Sequence, residues 1–269
     1  MKKIIEVMMN VVMLVCIALS STSCSSDEDA RPSRTFVLIA GSWQGAWVWK
    51  DVKFQLEKAG QKVVVVELPA HGKDNTPPQN VSMDIYRDNA IEVINTTPGK
   101  VVLVGHSMAG VVISAVSEKI PAKIERLIYL GAILPANGQS LLDLASTDTE
   151  ALLGPSIIPS EDQLLLDVIH DKIIEIFCQD GTPQVKQSLL DNFKLEPAIP
   201  FADKVTLSAE RFGKVPKTFI HTEFDHAIGL KLQKRMVAAA GITNTYTLRS
   251  SHSPQLSRPN DLAALLLRI

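Results

Sequence analysis

Cysteine is scarce: there are three in 269 residues, too few and too unevenly placed for a disulfide framework. Cys16 and Cys24 fall in the N-terminal segment, which leaves Cys178 alone in the body of the chain. Inside Ile176-Phe177-Cys178 it reads as a small buried hydrophobe rather than a nucleophile. Charge of one sign is missing as well. The 27 Lys and Arg against 29 Asp and Glu leave a formal net charge of −2, and both signs are dispersed, which argues against nucleic acid or a polyanion as partner. No internal repeat is visible. Clustered His/Cys spacing and a phosphate-cradling glycine loop are both lacking, so no metal and no cofactor is implied.

The apolar run from Val11 to Leu19 is too short for a comfortable membrane span. It follows the basic start Met1-Lys2-Lys3 and precedes Ser20-Ser21-Thr22-Ser23-Cys24, the order of a secretory signal. We expect a signal peptide over 1–23. Cys24 and the acidic run Ser25-Ser26-Asp27-Glu28-Asp29 resemble a bacterial lipoprotein, in which the cysteine after the cleavage site is acylated. Residues 24–34 would then tether an exported enzyme to an outer membrane or cell surface, with the lipid as its sole membrane contact. Ser21 stands where such signals usually carry leucine, and simple cleavage near Ser23 would release a soluble periplasmic or secreted protein.

The remaining body, 35–269, suits one α/β domain with a sizeable core. Apolar, β-branched runs at Thr35–Ala40, Lys62–Glu67, Val101–Val104, Arg126–Leu134, Lys217–Thr222 and Thr243–Leu248 read as buried strands. Helical periodicity fills the stretches to about Ala59, over Ser82–Asn95, from Val111 and over Pro259–Leu267. Strands alternating with helices predict a doubly wound, mostly parallel sheet. From about 136 to 214 the alternation stops, and Leu141, Leu142, Leu164 to Leu166, Ile173, Ile174, Phe177, Leu189, Leu190 and Phe193, punctuated by prolines, suggest several short helices.

The chain is organised around Val101-Val102-Leu103-Val104-Gly105-His106-Ser107-Met108-Ala109-Gly110, a buried strand running through a small-residue turn into a helix. A serine at that apex is either a nucleophile elbow or the N-cap of an ordinary buried helix. Partners downstream decide between them. A serine hydroxyl needs a base in hydrogen-bond reach, and the base needs a carboxylate to fix its tautomer. His252 directly follows the last strand, and Asp225 and Glu223 follow the strand before it.

These residues resemble the α/β-hydrolase superfamily. Its pattern is Gly-x-Ser-x-Gly, with Ala109 at the last position here. The resemblance implies Ser107, Asp225 and His252 as catalytic triad, Asp225 being selected over Glu223 by the Thr-x-x-Asp-x-x-Ile spacing from Thr222 to Ile228. It also implies the backbone N–H groups of Ser42 and Met108 as oxyanion hole, Gly41 and Trp43 as substrate-pocket candidates, and a helical cap after the strand that follows the elbow. His71 lies in Leu68-Pro69-Ala70-His71-Gly72-Lys73-Asp74, similar to a turn that is structural in most members. Asp143 sits where some hydrolases keep their acid. His106, adjacent to the nucleophile, would point away from its face of the turn. His221 and His226 border a strand end, and His170 falls in the cap.

Within the superfamily, Gly45 to Trp49, Gly105 to Gly110, Thr222 to Ile228 and Ser251-His252 resemble the plant methylesterase and hydroxynitrile lyase group with its bacterial relatives. The lyases carry threonine and lysine where this chain has Gly41 and Ser253. That makes a serine carboxylesterase acting on small, partly apolar esters the expected activity. A lyase or other non-hydrolytic enzyme, and a catalytically idle ligand-binding lipoprotein, are the alternatives. The sequence sets no oligomeric state.

Overall fold

A computed structural model describes residues 33–269; the signal segment, Cys24 and most of the expected tether lie outside the described residues. Six strands form one sheet: β1 (Thr35–Ile39), β2 (Lys62–Val66), β3 (Val101–His106), β4 (Ile124–Leu130), β8 (Lys217–Thr222) and β9 (Thr245–Leu248). Their order is β2-β1-β3-β4-β8-β9, and every neighbouring pair runs parallel. β1 and β3 are buried along their whole lengths, as expected of central strands covered on both faces.

The pleat sorts their side chains into two cores. Phe36, Leu38, Val102, Val104, Ile128, Leu130 and Ile220 face Trp49 and, on the helices Lys50–Lys58 and Pro259–Arg268, Val52, Leu56, Leu262 and Leu266. The opposite set, with Val37, Ile39, Leu103, Leu127, Tyr129 and Phe219, faces the helices Met83–Asn95, Ala109–Lys119 and Leu230–Ala239. Alternate residues thus point to opposite faces, and the doubly wound parallel sheet expected from the alternation is what the chain forms.

Several bounds differ from the sequence reading, and two differences bear on the site. β4 ends at Leu130, and 131–134 leaves the sheet to wrap the turn after β3: Ile133 N–H donates to the Ser107 carbonyl at 3.1 Å. The cap is not purely helical. Between β4 and β8 the chain includes a three-stranded antiparallel sheet, β5 (Ile157–Pro159), β6 (Leu165–Val168) and β7 (Glu196–Pro197), in the order β5-β6-β7. Leu165 and Leu166, read as helical, belong to its central strand. Pro159 and Pro197 fall on the flanking strands, where a missing N–H is tolerated. The apolar cap residues Leu141, Ile173, Ile176, Phe177, Leu189 and Phe201 are buried in one continuous cluster with the sheet. Among the described residues no helix is long and apolar enough to cross a membrane.

Candidate active site

Ser107 follows β3 directly and has φ 57, the left-handed region that costs an L-residue roughly 1 kcal/mol or more. The tight turn is held from both sides. Ser107 N–H donates to the Leu130 carbonyl at 3.3 Å, and Gly110 N–H returns to the Ser107 carbonyl at 3.1 Å. Small neighbours are required by contact. A Cβ on Gly105 would lie 2.6 Å from the Ala109 carbonyl oxygen, and one on Gly110 would lie 2.1 Å from that of Ile133. Ala109 itself is the first residue of the helix Ala109–Lys119, so alanine there carries no strain.

β8 ends at Thr222 and delivers Asp225 on the loop beyond it. The carboxylate is buried and saturated with donors. Oδ1 accepts the N–H groups of Ala227 and Ile228, each at 2.8 Å. Oδ2 accepts the Thr222 hydroxyl at 2.6 Å and the Gln233 amide at 3.3 Å. His252, on the loop after β9, places Nδ1 3.0 and 2.9 Å from the two oxygens. A carboxylate receiving all these bonds is an acceptor, so Nδ1 is the donor, and in the neutral imidazole the lone pair is on Nε2.

The His252 ring lies 4.6 Å from that of His106, the residue before Ser107, and 5.8 Å from that of Phe177. Ser107 and His252 are therefore brought to one edge of the sheet. Among the described residues no hydrogen bond joins them, a common looseness in sites without substrate. On the other side of Ser107 stands Gly41, where a Cβ would come 2.5 Å from Ser107 Cβ and 3.1 Å from its Oγ. Glycine is what allows the loop after β1 this close. The N–H groups of Ser42 and Met108 donate to no other group among the described residues.

Trp43 is packed beneath the cap. It is 2% exposed, its indole N–H donates to the Leu166 carbonyl at 2.9 Å, and its ring packs against Phe177, Phe193 and Phe201 of the cap. The rivals are occupied elsewhere. Glu223 pairs with Arg249 at 3.2 Å on the surface, and Asp143 closes a capping box with Ser140. His226 Nδ1 donates to the Glu175 carbonyl at 2.9 Å, His221 is buried at the end of β8, and His170 is exposed beside Asp171. Cys178 is fully buried, with its thiol pushed up to about 12 chiefly by burial.

Sequence reasoning missed several supports. Gln233 is buried on the helix Leu230–Ala239, where its amide NH₂ also donates to the Thr222 hydroxyl at 3.0 Å and its Oε1 accepts Thr222 N–H at 3.1 Å. A glutamine on the apolar stripe of that helix was the available signal. His106 does not merely face away: its Nε2 donates to the His252 carbonyl at 2.8 Å, and the Gln255 amide donates to its Nδ1 at 3.2 Å. Burial, with His252 close by, pushes this imidazole well below its usual range. Among the described residues no group of three or more His, Cys, Asp or Glu gathers to hold a metal.

A left-handed serine between a parallel strand and a helix, with an Asp–His pair arriving from the last two strands, defines the scaffold of an α/β-hydrolase. The model of the alpha/beta hydrolase family matches residues 36–265, and the chain belongs to that family. It is similar to a putative chloroplastic methylesterase of Arabidopsis thaliana, 30% identical over 260 residues, which are 90% of this chain and 57% of the relative. The chain thus spans little more than half of that relative's length. A methylesterase structure from Arabidopsis is similar at 25% identity with a TM-score of 0.75, covering 87% of this chain and 98% of that one. A polyneuridine aldehyde esterase mutant shares the fold at 24% identity with a TM-score of 0.79, covering 88% and 98%.

Proposed function

We propose that the protein is a serine carboxylesterase acting on small, partly apolar esters through Ser107, His252 and Asp225. The observation that carries this reading is the buried Asp225–His252 pair, in which Nδ1 is engaged by the carboxylate and Nε2 is left for an alcohol at the elbow beside it. His252 takes the Ser107 proton as Oγ attacks the ester carbonyl. The Ser42 and Met108 N–H groups receive the oxyanion, and His252 returns the proton to the departing alcohol. Water, deprotonated by the same imidazole, then cleaves the acyl-enzyme. Relatives named as methylesterases support an ester substrate with a small alcohol. An apolar cap supports an acyl group with apolar surface.

The test is hydrolysis of a short-chain nitrophenyl ester by wild type and Ser107→Ala. Loss of about 10⁴-fold or more in kcat is expected. Equal rates in the two proteins would overturn the reading, and an inert wild type that still binds apolar ligands would point to a binding protein. Cyanide release from a cyanohydrin would instead point to the lyase. We also propose export with acylation at Cys24, checked by radiolabelled palmitate incorporation that Cys24→Ala abolishes.

A further inference from the structure

The residue after Ser42 is unusual in its backbone and in what touches it. Trp43 has φ 59, a conformation that a bulky side chain adopts only when its surroundings impose it. Those surroundings come from the cap. Trp43 N–H donates to Glu196 Oε2 at 2.7 Å, and the Trp43 carbonyl accepts Lys194 N–H at 3.2 Å. The indole N–H reaches Leu166 on the strand paired with Glu196. Leu166 of β6, Glu196 of β7 and Lys194 just before β7 thus hold every polar group of Trp43.

Glu196 is 1% exposed, and a carboxylate there needs compensation. His71 supplies it. Its Nδ1 lies 3.0 Å from the Pro69 carbonyl, which only accepts, so Nδ1 carries a proton. Its Nε2 lies 3.0 Å from Glu196 Oε2, without the alignment of a hydrogen bond, so the attraction is Coulombic. The turn bearing His71 is itself fastened to the cap, because Lys194 Nζ donates to the Gly72 carbonyl at 3.2 Å. Nothing in the ester chemistry above uses Glu196 or His71.

We propose that Glu196, held in place by His71, is a positioning residue for the oxyanion hole: by fixing Trp43 N–H it sets the direction of the neighbouring Ser42 N–H. The inference rests on the esterase reading. An oxyanion donor acts only if it lies within hydrogen-bond reach of the oxygen as charge develops, so a loop that relaxes out of the left-handed turn loses transition-state contact while ground-state binding persists. The cap is then part of the catalytic framework as well as a cover.

Two variants separate reach from charge. Glu196→Gln keeps an acceptor oxygen for Trp43 N–H and loses the charge. Glu196→Asp keeps the charge and falls short of the N–H. With a nitrophenyl ester, kcat is expected to fall about 10- to 100-fold in Glu196→Asp with KM within about two-fold, and Glu196→Gln is expected to retain the larger share of activity. Phosphonylation of Ser107 by an organophosphonate should slow in the same proportion, since it uses the same hole. Melting curves report folding of each variant. Glu196→Asp turning over within about two-fold of wild type, or Glu196→Gln falling below Glu196→Asp, overturns the inference. If either variant does not fold, His71→Gln is assayed instead: a kcat loss at constant KM supports the proposal and an unchanged kcat overturns it. Wild type without Ser107-dependent hydrolysis sinks the esterase reading itself, and this inference with it.

Discussion

Single residues at this site are fixed by contact distances rather than by type alone. Gly41 is the clearest instance: its missing Cβ would lie 2.5 Å from that of Ser107. Gly41→Ala should push the loop off the elbow and lower kcat by about 10²-fold, measured on a folded variant with the same ester. Ala109 is the reverse case, since the positive φ of the turn belongs to Ser107. Ala109→Gly, which restores the family's usual residue, should leave kcat within about two-fold and cost roughly 0.5–1 kcal/mol of stability. Gln233→Leu removes the partner of Thr222 and one partner of Asp225. It should cost about 1–3 kcal/mol by denaturant titration and lower kcat, because the carboxylate that orients His252 loosens.

At this scale the sequence was informative where chemistry constrains residue type and silent where it constrains partners. Ser107, Asp225 and His252 stand at strand ends and follow from what a serine nucleophile requires. Gln233, Glu196 and His106 are ordinary polar residues in sequence, and only the meeting of distant segments gives them their roles. The packing of Trp43 was hidden for the same reason: Phe177, Phe193 and Phe201 arrive from far along the chain to bury it.

Among the elements, those with a strong local pattern were legible. β1 and β3 announce themselves as continuous apolar runs, and the helix Met83–Asn95 begins at Ser82, whose hydroxyl accepts Ile85 N–H at 3.3 Å. Ser82→Ala should cost about 1 kcal/mol, seen as a lower melting temperature with kcat unchanged. The cap was harder. Its strands are two to four residues long, too short for alternation to show, and Leu164-Leu165-Leu166 fits either state until β5 and β7 flank it. The end of β4 was misplaced because 131–134 is as apolar as a strand but is turned aside by the elbow it wraps.

For the molecule as a whole, two buried imidazoles of opposite tendency shape the response to pH. Burial is the largest single effect and works against the His71 cation, but the charge and side-chain contact of Glu196, the Pro69 carbonyl and Glu67 together outweigh it, so the net direction is upward; Tyr86 packs on the same ring. A group raised in the fold contributes stability that is complete below its unfolded value of about 6.5 and fades as pH climbs through the raised value. The melting-temperature gap between wild type and His71→Gln should therefore be widest near pH 6 and shrink as the pH rises through the raised value. A constant gap would mean that the pair is not ionised. His106, depressed by burial, has the opposite sign: its contribution holds above about pH 6.5 and is lost on acidification.

The two-faced sheet gives the molecule a rigid base, but the segment between β4 and β8 is not hinged upon it like a door. It is sewn into the reaction centre at two seams, at Trp43 through Glu196 and at Ser251 and Ser253 through Asp180 and Phe177. On the proposed esterase reading, substrate range and turnover are in this way inherited as one block. Grafting a foreign segment here should exchange the lining and unsettle the rate together, and only grafts that bring along matching partners for both seams should keep the enzyme fast.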